Sequence, residues 1–330
     1  MAFQSILFHN PEIGRNVDHQ AEPEFFKDLN LDQVVQAVTD NWKDYNLAPF
    51  FYFRLSDLAG ISYRQEIMED LEDVQLMEAI QSFSMQMRAM RDRLKQAKDL
   101  GYKYATERAF LGAVEVYCKA VESLVRELRA LSPKSCGVRA FGKYLTDYSE
   151  SAPFRNLAME AENLRSDLAS ITYCLVLKDD SVTVHYYDEE SDYSATVEET
   201  FSKFTRETAA DYRVKVPVRD GMNHIQAEIL HGLALLYPVT FHDLDEFSAR
   251  HVDYFDETIS RFDREIQFYV AYLKYMEQFR RAGLRFCLPE LSDTSKEIQD
   301  QDAFDIALAA KLRGSCQTCG IEEFPELPLR

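Results

Sequence analysis

Gly137-Val138-Arg139-Ala140-Phe141-Gly142-Lys143 has the G-x-x-x-x-G-K spacing of a phosphate-binding loop. In such a loop backbone N–H groups wrap a phosphate chain and the lysine reaches its end. The chemistry needs more than spacing. A working loop follows a buried strand, opens a helix and continues with Ser or Thr to hold magnesium. Here the preceding segment reads as a helix ending at Pro133, the next residue is Tyr144, and Arg139 and Phe141 crowd the backbone. We read the stretch as a helix-to-helix connection and assign no cofactor-binding residue.

Cys316-Gln317-Thr318-Cys319 is half a zinc site, and no further Cys or His between Cys287 and Arg330 completes it. Cys118, Cys136, Cys174 and Cys287 are scattered, as expected for reduced thiols of a cytosolic protein. His224 and His231 are seven apart on one predicted helix, and His242 and His251 lie on the next, with Asp243, Asp245 and Asp253 around them. A di-metal bundle uses Glu-x-x-His motifs on paired helices, and no such pair occurs. These histidines read as core or interface residues, and no metal ligand is assigned. Neither a G-x-S-x-G elbow nor a G-x-G-x-x-G loop is present, so no catalytic residue is assigned. Arg88, Arg91, Arg93, Lys95 and Lys98 cluster on one predicted helix. They form a candidate nucleic-acid or partner contact, although a solvated helix face has the same composition and is the favoured reading.

The whole-chain charge limits that candidate. The 330 residues carry 56 acidic and 37 basic side chains, a net charge of −19. Such a surface repels phosphate backbones at long range, so any DNA contact must be local. No apolar run reaches the ~18 residues of a membrane span, and Met1 to Phe8 lacks the basic start of a signal peptide. A cytoplasmic protein is expected.

The elements that must position these residues are long, because Gly (11) and Pro (10) are scarce. Helical periodicity predicts helices over about Asn30–Tyr45, with Asn30 and Gln33 as a capping box, and over Ser56–Leu71 and Asp73–Leu100. From Thr106 to Leu131, Phe110, Val114, Tyr117, Val121, Leu124, Leu128 and Leu131 step alternately by four and three, a heptad seam. Another helix is expected over Pro153–Ala169. The period then changes to two. Ile171–Leu177 and Val182–Tyr187 flank turn residues and read as a hairpin. A helix near Ala195–Arg206 and a strand at Tyr212–Val216 would complete a β-β-α-β insertion. Helical period returns at Met222, and a last helix is expected from His242 to Ala282, a rod of roughly 60 Å. Leu284–Leu288 looks like a new strand.

Three stretches resemble MutS-related proteins: Phe25 to Gln33, Tyr63-Arg64-Gln65-Glu66-Ile67-Met68-Glu69-Asp70-Leu71, and Phe262-Asp263-Arg264-Glu265-Ile266-Gln267-Phe268-Tyr269. The resemblance runs to about Leu312. It implies a helical core sending out two lever helices that join a clamp near DNA to an ATPase of ABC type. Tyr63-Arg64-Gln65-Glu66 resembles the early core segment, His242–Ala282 the returning lever, and Phe286-Cys287-Leu288-Pro289-Glu290 the passage into the ATPase domain. Departures accompany it. No mismatch-reading domain is found. The family's Phe-x-Glu wedge spacing occurs only at Phe255-Asp256-Glu257 and Phe324-Pro325-Glu326, neither in the right context. The insertion in clamp position is acidic, with Asp188, Glu189, Glu190 and Asp192.

The expected fold is therefore mainly α, a long-helix core and lever bundle with a small inserted β-β-α-β element. Residues 1–170 would form the core and outgoing levers, 171–218 the insertion, 219–283 the returning helices, and 284–330 a truncated ATPase start or divergent tail. The expected function is non-catalytic, coupling the state of an ATPase domain beyond this chain to DNA or partner binding. ATP and magnesium belong to that domain. Partners would be DNA in a full-length dimer and a second copy, with no membrane and no small-molecule substrate. The alternative is a helical scaffold for protein partners that binds no DNA.

Overall fold

The computed structural model describes residues 3–10, 12–14, 16–178, 181–188 and 224–319. The expected helix at Ala195–Arg206 and strand at Tyr212–Val216 lie outside them, as does Phe324-Pro325-Glu326. The fold is mainly α with a small antiparallel β element. In chain order the helices are α1 (Phe25–Asp28), α2 (Leu31–Thr39), α3 (Ala48–Tyr52), α4 (Leu58–Asp70), α5 (Val74–Leu100), α6 (Lys103–Leu131), α7 (Cys136–Ser149) and α8 (Ala152–Ala169). Strands β1 (Tyr173–Lys178) and β2 (Ser181–Tyr186) follow, then α9 (His224–Leu236), α10 (Pro238–Arg250), α11 (Glu257–Arg280) and α12 (Ile306–Cys319).

The chain divides into two compact units whose segments alternate along the sequence. Unit 1 holds residues 1–87, 119–154 and 255–330; unit 2 holds 88–118 and 155–254. The divisions fall inside the uninterrupted helices α5 and α6, which are 27 and 29 residues long. Sequence blocks and compact units are thus different partitions of this chain.

Unit 1 is built on aromatic packing. Phe141 of α7 stacks on Phe262 of α11 at 3.4 Å between centroids, and Phe3 meets the edge of Phe141 at 5.0 Å. Residues 3–8 form a buried segment held by polar side chains from α4 and α11. Glu265 accepts from Ser5 Oγ at 2.7 Å and Ile6 N–H at 2.9 Å. Tyr269 Oη donates to the Ile6 carbonyl, Tyr63 Oη to that of Ser5, and Arg64 Nε to that of Leu7. The Arg64 guanidinium lies 5.1 Å from the ring centroids of both Phe8 and Phe268. Tyr63 and Arg64 of α4 and Glu265 and Tyr269 of α11 therefore anchor residues 5–7.

Unit 2 contains the hairpin, whose register runs from Tyr173↔Tyr186 to Lys178↔Ser181. Helix α9 packs on β2. Gly232 permits the approach, since a Cβ there would lie 3.1 Å from Val184 Cγ2.

Three expectations are corrected. The single rod from His242 to Ala282 is two helices, α10 and α11, separated by residues 251–256. Asp256 is extended and its side chain accepts the Ile259 N–H at 2.9 Å, so it starts a new helix. The expected strand Leu284–Leu288 has no regular structure; Phe286 instead packs against Phe304 and under Arg280. At Asn30 the capping box is not formed: the residue has φ 55°, and Gln33 Nε2 donates to its side-chain oxygen rather than capping the backbone.

Candidate nucleic-acid interface

All five basic residues singled out in the sequence belong to unit 2 and to α5. A helix places i, i+3, i+7 and i+10 on one face. Arg88, Arg91, Lys95 and Lys98 satisfy that spacing and form one stripe, about 15 Å long at 1.5 Å per residue. Arg93 points elsewhere and lines an apolar hollow of unit 2. Arg88, Lys95 and Lys98 are exposed, Arg91 is half-buried, and Arg88 and Arg91 each engage a neighbour. Asp92 and Asp99 sit four residues after Arg88 and Lys95, a spacing that places opposite charges side by side. The face is thus mixed, with four cations in line and two carboxylates at its edge.

A second charged cluster was not singled out from sequence. Lys103 and Glu107 of α6 meet Asp245 of α10, with Lys103 Nζ hydrogen-bonded to the Asp245 carboxylate. Burial, then a hydrogen bond with Asp245, pushes the Glu107 carboxyl up to about 7. Asp245, bonded by Lys103 and Glu107, is held below its ordinary value. The buried Glu107 carboxyl thus lies beside the Lys103 ammonium and the Asp245 carboxylate, and burial favours its protonated form. The signal was available: Glu107 lies three residues before Phe110, so it extends the heptad seam of Phe110, Val114 and Tyr117 one step, inviting a buried carboxyl.

Gly137–Lys143 is neither a phosphate loop nor a connection; it lies inside α7. Protein groups take the N–H donors at the start of this helix. Asp70 accepts from Lys134 and Ser135 N–H at 3.0 and 2.6 Å, and Ser135 Oγ accepts from Val138 N–H at 3.3 Å. Gly137 serves packing, as a Cβ there would lie 2.6 Å from Tyr63 Oη.

The core reading of the histidines is also corrected. His224, His231 and His242 are exposed. Helix α9 carries one Glu-x-x-His, Glu228 and His231, both on the surface. His251 alone is half-buried; its Nε2 lies 2.9 Å from Glu160 Oε2, which also accepts from Arg250 at 3.0 Å. Asp256 of the Phe255–Glu257 wedge match caps α11 and accepts from Tyr144 Oη. Cys316 and Cys319 lie in α12. Among the described residues no three His, Cys, Asp or Glu side chains gather to hold a metal ion. No helix of those residues is long and apolar enough to cross a membrane.

No family model, curated protein or solved structure matches this chain.

Proposed function

We propose that this chain is the core and lever portion of a MutS-like DNA-processing ATPase, non-catalytic in itself. One observation carries the reading: α5 and α6 each run unbroken from one compact unit into the other. A continuous helix transmits displacement along its axis, because its backbone hydrogen bonds resist bending, and packed helices with two arrangements can relay a shift between sites. The resemblance of Tyr63–Leu71 and Phe262–Tyr269 to MutS-related stretches supports it, since these stretches hold unit 1 together. In this reading DNA meets unit 2 through Arg88, Arg91, Lys95 and Lys98, with ATP and magnesium bound in a domain outside this chain.

The test is anisotropy of a labelled DNA duplex at low salt. Charge reversal at Arg88, Lys95 and Lys98 should weaken binding by about tenfold or more and flatten its salt dependence, whereas Arg93→Glu should not. Equal affinity of all variants would sink the DNA contact.

A second reading is favoured by the net charge of −19 and by exposed apolar residues on unit 2, namely Leu235, Val239 and Val252. In it the chain is a helical scaffold for a protein partner or a second copy. Self-association in sedimentation velocity, with no DNA affinity, would favour that reading.

A further inference from the structure

Unit 2 contains a hollow of about 670 Å³ that neither reading uses. Its origin is local. Ala105, Ala109 and Gly112 fall at i, i+4 and i+7 on α6 and turn a face without bulk toward Phe241 and Leu233. The lining is apolar apart from Gln96 and two exposed arginines, Arg93 of α5 and Arg108 of α6. Among the described residues no Asp or Glu lines it, although the chain carries 56 acidic against 37 basic side chains. Arg108 Nη1 pairs with Glu115 Oε1 at 3.8 Å. At that distance the two attract by charge without a hydrogen bond, so the guanidinium keeps its donors.

We propose that this hollow binds a free amphipathic anion: one carboxylate or similar headgroup on an unbranched aliphatic body. Two features select that chemistry. Phe241, Leu233 and the small residues of α6 remove an aliphatic chain from water without asking for hydrogen bonds, and each buried methylene adds to affinity. The two guanidiniums form planar donor forks suited to a carboxylate. A cationic headgroup would meet like charge at Arg93 and Arg108. This departs from the expectation that the chain takes no small molecule, and it stands independently of any DNA contact.

Calorimetric titration of the full chain with sodium dodecanoate, below its micelle concentration, tests the site. Saturable binding at one site is expected. Affinity should fall steadily from dodecanoate to decanoate to octanoate, and dodecanol should bind about tenfold more weakly than dodecanoate. The Arg93→Gln, Arg108→Gln double variant should weaken dodecanoate by about tenfold and leave dodecanol unchanged, with unaltered thermal unfolding as the control. Absence of saturable binding, or equal binding of acid and alcohol, would overturn the proposal. So would flotation with anionic phosphatidylglycerol vesicles that depends on the two arginines, because the source would then be a membrane surface.

Discussion

Gly137 faces Tyr63 with no room for a side chain: a Cβ would lie 2.6 Å from Tyr63 Oη and 2.8 Å from Ile67 Cδ1. Tyr63 cannot yield cheaply, because its hydroxyl donates to the Ser5 carbonyl at 2.8 Å. Gly137→Ala should therefore destabilise unit 1 by about 1–2 kcal/mol, overpacking exceeding the gain in helix propensity. Gly142, in the same helix, predicts the opposite sign. Its Cβ would meet Leu128 Cδ1 at an ordinary 3.6 Å, so Gly142→Ala should stabilise by about 0.5–1 kcal/mol. Thermal unfolding of the two variants checks both. Lys143→Ala, at an exposed position, should leave both stability and any response to magnesium-ATP unchanged.

Glu107 makes unit 2 sensitive to pH. Its carboxyl is pushed up to about 7 when folded, above its ordinary 4.5 when unfolded, so the folded state holds the extra proton between these values. Stability should fall as pH rises through that window, by up to about 3 kcal/mol, while Asp245, held below its ordinary value, titrates beneath the window and leaves that slope unchanged. Glu107→Gln should flatten the profile above pH 5 or so, because the amide keeps the hydrogen bond and carries no charge. Denaturant melts across the window measure it; a parent profile already flat there would refute the raised Glu107 carboxyl.

Glu265 is the acceptor for two donors of the buried first segment. Burial holds its carboxyl above the ordinary carboxylate range, against the pull of the Ser5 and Ile6 hydrogen bonds. Glu265→Ala leaves the Ser5 hydroxyl and Ile6 N–H without an acceptor and should cost about 3 kcal/mol. Glu265→Gln keeps one acceptor oxygen and should cost less than half as much. Amide hydrogen exchange at Ile6 gives a local readout, which should speed up in the Ala variant before global stability is lost.

Asp256 performs two tasks where the expected rod breaks. Its side chain caps α11 through Ile259 N–H and accepts from Tyr144 Oη at 2.9 Å. Asp256→Ala should cost about 1–2 kcal/mol. Asp256→Asn, which retains the capping oxygen, should recover most of it; equal losses in both would show that the carboxylate charge matters and the cap does not.

The elements legible in the sequence are those whose apolar period agrees with their backbone. The seam from Phe110 to Leu131 gives α6, with Val114, Tyr117, Val121, Leu124 and Leu128 buried, and the alternation of Val182 and Val184 gives β2. The break after Arg250 was hidden because the apolar phase survives it. Phe247, His251, Phe255 and Ile259 step by four throughout, and only the loss of the four-three alternation and the capping Asp256 betray a boundary. The basic cluster was legible as residue types and only partly as a face, since Arg93 is two or three positions out of phase with its neighbours. The anchoring of Ser5 by Glu265 was not legible at all. No local pattern links residues 260 positions apart, and only the tertiary fold makes that carboxylate a core residue.

The buried segment from Phe3 to Phe8 also sets a schedule. Phe3, Ile6, Leu7 and Phe8 leave the ribosome well before their partners on α11. At 5–20 residues per second, Ser5 waits roughly 13–50 s for Glu265. Throughout that interval a strongly apolar segment has no completed core to enter, and the nascent chain must be kept from sticking to its neighbours. Variants that lengthen the wait by slowing synthesis of α11 should lower soluble yield without changing the melting temperature of the protein that does fold.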